Sequence, residues 1–432
     1  ARPATARGGA PGRGPGRLAA LFAAIASADF LSEFLRISHA VIGPELMREI
    51  GFGVGGLGLL TSVFFFAFAA QQLPNGFLFD RFGPRRTVPC LMLVGIAGAL
   101  IFAAAPSLLV LSLARVLMGI GWAVAFMGGL IILARWIPTD RYAMAVAAMI
   151  FVGTLGNLAA TSPWAAFVAW LGWRAATVVM AAAACASALL VVAVVRDAPP
   201  DHAYHGRAPE SLPAMVRGLG DIVRIRAWRY LFAMNFLSYA VVINVLALLG
   251  PVYLTDVHGL DLAARGEILL LMTLAMAAGT LCVGPLDRLL DTRKEIVSWG
   301  AIGIVAVYAV LALAPGLALW QAAALFALIG FIGASGVVNL AHARAVLPDR
   351  LVGRGMVTMA LAAFAGSAVL QLAAGLVVAA FPQVDGAAPE AAYRCAFGFV
   401  GLALLGGVVY HRRVDDAKPS ADRPPPSSED RT

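Results

Sequence analysis

Four ionisable residues, Asp29, Glu33, Arg36 and His39, fall within one apolar stretch near the start of the chain. At about 100° per residue in an α-helix, Asp29, Glu33 and Arg36 lie within roughly 60° of one another and form a single polar stripe. Carboxylates at membrane depth carry protons or bind ligands, and a guanidinium beside them either anchors an anion or neutralises the acid three residues before it. Arg115, inside a later apolar stretch, is a second cation that needs a water-filled path or an anionic partner. Asp29, Glu33 and Arg115 are therefore the candidate proton-coupling group, with Arg36 the candidate substrate anchor or, alternatively, the structural partner of Glu33. In the second half of the chain the polar residues at membrane depth are neutral. Asn235, Tyr239, Asn244, Asn339 and Gln371 could hydrogen-bond a solute or hold helices to one another. His39, toward the far end of its stretch, reads as a packed or solvated side chain.

The elements that must position these residues follow from composition. Of 432 residues, 61% are hydrophobic and 13% charged, whereas a soluble domain carries roughly 45–50% apolar and about 25% charged residues. A mean hydropathy of +0.85 excludes soluble, disordered and collagen-like classes and leaves a polytopic helical membrane protein. With about 20 residues needed per span, the sequence predicts twelve helices, at 18–41, 55–79, 88–105, 107–134, 143–170, 175–195, 229–254, 266–286, 296–314, 317–341, 356–381 and 392–411. The expected organisation is a cytoplasmic tail at 1–17, a six-helix bundle at 18–195, a proline-containing linker at 196–228, a second bundle at 229–411 and a disordered tail at 412–432. With both termini cytoplasmic, 26 of the 32 Lys and Arg residues fall in the inner segments, the asymmetry of the positive-inside rule. The same asymmetry accounts for a pI near 9.7 without nucleic acid.

The inner loops repeat. Gly76-Phe-Leu-Phe-Asp80-Arg81-Phe-Gly83-Pro-Arg85-Arg86 follows the second helix, and Gly284-Pro-Leu-Asp287-Arg288-Leu-Leu-Asp291-Thr-Arg293-Lys294 follows the eighth, placing Asp80 and Asp287 207 residues apart. Arg135 to Arg141 after helix four echoes Arg344 to Arg350 after helix ten. Two parallel six-helix halves around a central cavity are implied, the architecture of alternating-access carriers. Cys90, Cys185, Cys282 and Cys395 stand singly in or beside apolar runs and make no metal or redox motif. The Met272 and Met276 pair could offer soft metal ligands but reads as packing, so no metal and no cofactor is expected. No catalytic triad or phosphate-cradling loop is present, and no enzyme activity is expected.

The Gly76 to Arg86 segment resembles the G-x-L-x-D-R-x-G-x-R-R loop of the major facilitator superfamily, and Arg115-Val-Leu-Met-Gly119-Ile-Gly121-Trp-Ala123 is similar to that superfamily's helix-four pattern. The resemblance spans helices one to twelve and implies an all-α membrane fold of two pseudo-symmetric six-helix bundles. Gly76, Asp80, Arg81, Gly83, Arg85 and Arg86, with Asp287 and Arg288, would form a conformational latch by pairing charges at the cytoplasmic seam. The Arg36 to Pro44 spacing resembles that of the superfamily's organic-anion carriers, whose helix-one arginine contacts an anionic substrate group. Helix seven offers no second deep arginine, so a carboxylate suits the site better than a phosphate dianion. Helix five carries Ser162-Pro163 in place of the Gly-Pro pair of drug/proton antiporters. The expected function is proton-coupled symport of a small organic anion by a monomer in the inner membrane, surrounded by lipid. Drug or metabolite efflux by proton antiport, a copper carrier and a non-transporting sensor are the alternatives.

Overall fold

The computed structural model describes residues 15–199, 220–348, 351–383 and 387–422. Residues 1–14 and 423–432 of the expected tails, most of the linker and Arg350 lie outside the described residues. Among those described, twelve helices are long and apolar enough to cross a membrane. They are α1 (Gly16–Val41), α2 (Val54–Phe82), α3 (Pro84–Ala104), α4 (Leu108–Trp136), α5 (Thr139–Ala159), α6 (Trp173–Val194), α7 (Arg226–Asp256), α8 (Leu262–Leu290), α9 (Lys294–Leu313), α10 (Leu319–Val346), α11 (Val352–Ala379) and α12 (Glu390–His411). The number and order agree with the hydropathy reading, and the chain is a multi-pass membrane protein.

Local chemistry sets the helix boundaries. Ser107 caps α4 by accepting the Val110 N–H at 3.4 Å, and Asp261 caps α8 by accepting that of Ala264 at 2.9 Å. Several predicted spans are interrupted, among them 266–286 between Val283 and Leu286 and 317–341 between Gly333 and Gly336. The 107–134 span breaks between Trp122 and Ala125, where the Asn75 amide donates to the Ala123 carbonyl at 2.9 Å. The 143–170 span ends at Ala159 and resumes as Ser162–Leu171, because Pro163 has no N–H to continue the ladder and its ring crowds the preceding turn. In α7 the helix continues through Pro251 to Asp256, and the turn before it, Val245–Leu249, is π-helical.

The two halves are built alike. Gly156 of α5 lies so close to α1 that a Cβ would overlap the Phe30 carbonyl, and Gly366 of α11 stands in the same relation to Phe236 of α7. These pairs are related by nearly the offset that relates the two loop motifs. The helix-one/helix-five and helix-seven/helix-eleven approaches are therefore the same contact made twice, and they bring α1 and α7 to the centre of the molecule. The four cysteines are exposed on the outer surfaces of their helices.

The start of α1 and the end of α12 lie at one face, the terminal face. At the opposite face the halves are closed against each other. Arg265 of α8, fully buried, donates Nε and Nη2 to the Val41 carbonyl at 3.1 and 2.6 Å, Nη2 to Glu45 at 2.6 Å and Nη1 to Thr255 at 2.6 Å. Gly58 packs on the Gln371 carbonyl and Gly375, and Gly266 on Ser162 and Ala165. These contacts seal one end of the central seam.

Candidate functional site at the seam between the halves

Arg36 projects from α1 into the seam at the level where α2, α7 and α11 are near their midpoints. Its Nη2 pairs with Glu33 Oε1 at 2.8 Å, and its Nη1 donates to the Tyr239 hydroxyl of α7 at 3.4 Å. The guanidinium plane lies 4.8 Å from the Phe68 ring of α2 and 5.1 Å from the Phe364 ring of α11. Phe364 packs at a tilt on Phe68 and edge-to-face on Tyr239, so one cation is held by aromatic faces from both halves. Nε of Arg36 is buried without a hydrogen-bond partner. Because helix spacing fixes the i, i+3 relation, the Glu33–Arg36 pair was legible in the sequence. The aromatic cage was not, since Phe68 and Phe364 belong to helices far apart along the chain.

Glu33 has a second partner, the Asn157 side chain of α5, which donates to Oε2 at 3.0 Å. Its side chain keeps 18% exposure against 7% for Arg36, so the acid is the more solvent-accessible member of the pair. One turn earlier Asp29 is 2% exposed, rests beside Gly153 of α5, and has one carboxylate oxygen without a partner. A side chain at Gly153 would occupy the space of the Asp29 carboxylate.

The other sequence candidates divide into two groups. Asn235 donates to the Met359 carbonyl at 2.7 Å, and Asn339 donates to the Leu231 carbonyl at 3.2 Å and to Asn235 Oδ1 at 3.4 Å. These two amides tie α7, α10 and α11 together. Asn244 and Gln371 are fully buried, and neither side-chain amide has a partner. They lie on α7 and α11 between the Tyr239–Phe364 level and the sealed face. Arg115 is fully buried on α4, donates Nη1 to the Leu35 carbonyl at 3.2 Å and covers the Phe64 ring at 4.0 Å. It does not join the Glu33–Arg36 pair.

At the terminal face Gly83, at φ 74°, turns α2 into α3, and the Asp197 carboxylate fills the space its Cβ would need while accepting the Arg85 backbone N–H at 2.7 Å. Asp416, beyond α12, accepts the backbone N–H groups of Arg293 and Lys294 at 3.0 and 2.9 Å and the Thr292 hydroxyl at 2.6 Å. In each half an acid just past the last helix caps the third helix, a role the sequence motifs did not reveal. Burial pushes the Asp416 carboxyl up, but these hydrogen bonds outweigh it and leave the group below the usual carboxylate range. Asp287 sits 3.7 Å from Arg293. Arg81, Arg85, Arg86 and Arg288 are exposed along the same face, which also carries Gly76 and Asp80.

The family model of the Major Facilitator Superfamily matches residues 25–343. The chain belongs to this superfamily. Among curated proteins, the probable sulfoacetate transporter SauU of Cupriavidus necator is 28% identical over 173 residues, 40% of each chain. The probable galactarate/D-glucarate transporter GudP of Escherichia coli is 28% identical over 148 residues, 32% of each chain. These matches span two fifths or less of the relatives' length. Among solved structures, a bacterial homologue of the human lysosomal transporter Spinster, inward-facing and occupied, superposes with a TM-score of 0.73 at 18% identity, covering 97% of this chain and 100% of that one. A nucleoside transporter NupG variant gives 0.74 at 12% identity over 91% and 99%, and the D-xylose-proton symporter 0.69 at 15% over 90% and 97%. These likenesses establish the twelve-helix transporter fold.

Proposed function

We propose that this superfamily member carries a small organic anion across the inner membrane together with a proton, by alternating access through the seam. The observation that carries the reading is Arg36: a deeply buried cation between the halves, paired within its own helix and touched by Tyr239 and Phe364 of the other half. A carboxylate or sulfonate entering the seam would compete with Glu33 for the planar, two-pronged guanidinium. Displaced Glu33, exposed enough to meet water, would take up a proton in place of its lost counter-charge. Anion and proton would then bind together, and Asp29 one turn away would relay the proton along α1. Tyr239, Asn244 and Gln371 would meet the neutral part of the solute, while Asn235 and Asn339 hold the C-terminal helices. The relatives named for sulfoacetate and for galactarate/D-glucarate support an anionic solute.

With 26 of the 32 basic residues in the two tails, the linker and the loops after even-numbered helices, the terminal face and both termini would be cytoplasmic, and the loop motif of Asp80 and Arg81 would bias the conformations there. The test is binding by the purified protein of sulfoacetate, glucarate and galactarate against neutral sugars, followed by proton-driven uptake into proteoliposomes. Arg36→Lys keeps the charge but loses the fork, and should weaken binding of the anion that scores by at least about tenfold. Unchanged affinity in Arg36→Lys, or selection of a neutral solute, would refute the reading.

A further inference from the structure

The segment that follows α12 lies across the loop between α8 and α9. Besides the bonds that Asp416 accepts there, Arg293 Nη1 donates to the Ala417 carbonyl at 3.2 Å, and the Ser420 N–H and hydroxyl each donate to an Asp291 carboxylate oxygen at 2.8 Å. The loop so fastened carries Asp287 and Arg288. Packed with the segment are two fully buried histidines, His342 of α10 and His411 at the end of α12, edge to face with ring centroids 6.4 Å apart. His342 Nε2 donates to the Asp415 carbonyl at 3.1 Å, which leaves Nδ1 as the bare nitrogen, buried without a partner. His411 Nδ1 meets the Ser298 hydroxyl of α9 at 3.2 Å, and its Nε2 is likewise buried and unpartnered.

The N-terminal half makes the same fastening with a different ring. Trp136 of α4 donates its Nε1–H to the Arg196 carbonyl at 2.9 Å, and the next residue, Asp197, holds the start of α3. In the C-terminal half His342 donates to the Asp415 carbonyl, and the next residue, Asp416, holds the start of α9. Trp136 and His342 are 206 residues apart, within one position of the offset between the loop motifs. An indole cannot take up a second proton in this range, whereas an imidazole can. Added to either histidine, that proton finds no acceptor in the closed arrangement, and a buried polar hydrogen without one is unfavourable. The charged groups facing the pair are Asp416, Arg293, Lys294 and Arg412. Arg293 is shared with Asp287 and Arg412 with Glu295, while α7 and α11 add Arg226, which faces Asp415, and the half-buried Arg354. Asp416 already accepts three hydrogen bonds, so the new charge meets mostly cations. Lifting the segment lets both rings reach water.

We propose that Val414 to Ser420 form an acid-released strap: a proton on His342 or His411 loosens it from α9 and α10 and frees the loop of Asp287 and Arg288, while the tryptophan version in the N-terminal half stays fastened. The strap is complete above the ordinary histidine range near pH 6.5 and weakens as pH falls through it. A ring that takes its proton only once released favours release about tenfold more at pH 5.5 than at pH 7.5. Asp416 stays ionised over that interval, because its carboxyl lies below the usual carboxylate range. The device acts apart from the seam and is independent of what Arg36 binds.

The experiment is amide hydrogen exchange followed by mass spectrometry on the full-length protein in detergent at pH 7.5, 6.5 and 5.5, with exchange times scaled to the free-amide rate at each pH. Protection is read in the peptide holding Arg293 and Lys294, in the peptide over 411–420, and in the peptide holding Arg85 as the internal control. In wild type the first two should lose protection at least about tenfold between pH 7.5 and 5.5, and the Arg85 peptide should not change. His342→Gln keeps an N–H for the Asp415 carbonyl but cannot be charged. Combined with His411→Asn, it should leave protection of the strap level across the series. If the double variant does not fold, His411→Asn alone should reduce the loss severalfold. Constant strap protection in wild type would overturn the proposal, as would an equal loss at Arg85. So would a loss in His342→Gln/His411→Asn, or in His411→Asn should that be the one to fold, as large as that of the wild type.

Discussion

Glu33→Gln separates anion binding from proton coupling, and its effect can be estimated from the geometry. With Nη2 and Oε1 2.8 Å apart, the charge centres of the pair are about 4 Å apart, worth about 4 kcal/mol at an effective permittivity near 20. An incoming carboxylate in the wild type must overcome that attraction and leave Glu33 without a counter-charge. Glutamine keeps the shape and a hydrogen bond of about 1 kcal/mol, so the competing term falls by up to about 3 kcal/mol. The 18% exposure of Glu33 screens part of this, leaving about 1.5 kcal/mol, or roughly tenfold in affinity. The variant should therefore bind the anionic solute about tenfold more tightly at neutral pH. Its affinity should vary less with pH than that of the wild type, because the variant lacks the carboxyl that would exchange its counter-charge for a proton. In proteoliposomes it should exchange solute for solute and fail to accumulate it against a gradient. Weaker binding in Glu33→Gln, or a pH dependence equal to that of the wild type, would refute the competition of two carboxylates for one guanidinium.

The seal at the opposite face gives a second test. Arg265→Ala removes the links to Val41, Glu45 and Thr255 and leaves Glu45 without this partner, a loss on the order of 3 kcal/mol, so a cysteine placed at the buried Val378 should become several times more reactive to a polar maleimide; an unchanged rate would mean that packing alone closes that face. Asp416→Asn removes the charged cap of α9 and should cost about 1 kcal/mol at neutral pH. Since the native carboxyl is held below its unfolded value, that contribution is present above the ordinary aspartate range and lost as pH falls toward the native value, so the melting-temperature gap between wild type and variant should shrink near pH 4; a gap constant with pH would rule out the charged cap. Asn244→Leu removes an amide that has no protein partner, and should raise the melting temperature while weakening solute binding. Asn235→Leu, which breaks the bond to Met359, should lower the melting temperature instead; the opposite order would show that Asn244 is the structural amide.

The sequence was most legible where one helix carries the whole relation. The twelve spans follow from length and hydropathy, and the Glu33–Arg36 pair from three-residue spacing. The halves could be paired because their loop motifs repeat at a fixed offset. What stayed hidden depends on contacts between segments distant in the chain. Nothing about Phe68 or Phe364 in isolation marks them as the walls around Arg36, because a phenylalanine in a membrane helix faces lipid, a neighbour or a cation with the same sequence signal. Arg265 reads as one basic residue at a helix mouth, and only the approach of α1 makes it a fastening. Asp197 and Asp416 follow helices six and twelve without any motif, and their capping role appears only when the third helix of each half is brought beside them.

The distribution of charge between the halves also bears on how such a seam can work. Within the site the ionisable residues Asp29, Glu33 and Arg36 belong to one helix, α1, while the C-terminal half contributes the hydroxyl of Tyr239 and the ring of Phe364. When two halves rock against each other, contacts inside a helix persist and contacts between halves break. The Glu33–Arg36 exchange can therefore operate in both orientations of the seam, whereas the grip of Tyr239 and Phe364 on the guanidinium is conditional on conformation. A solute anion bound to Arg36 would be enclosed when these two side chains are in place and exposed when they withdraw, without any change in helix α1 itself. Under the proposed mechanism chemistry and gating would fall to different halves, so that neutral residues would suffice on one side while the three ionisable ones serve on the other.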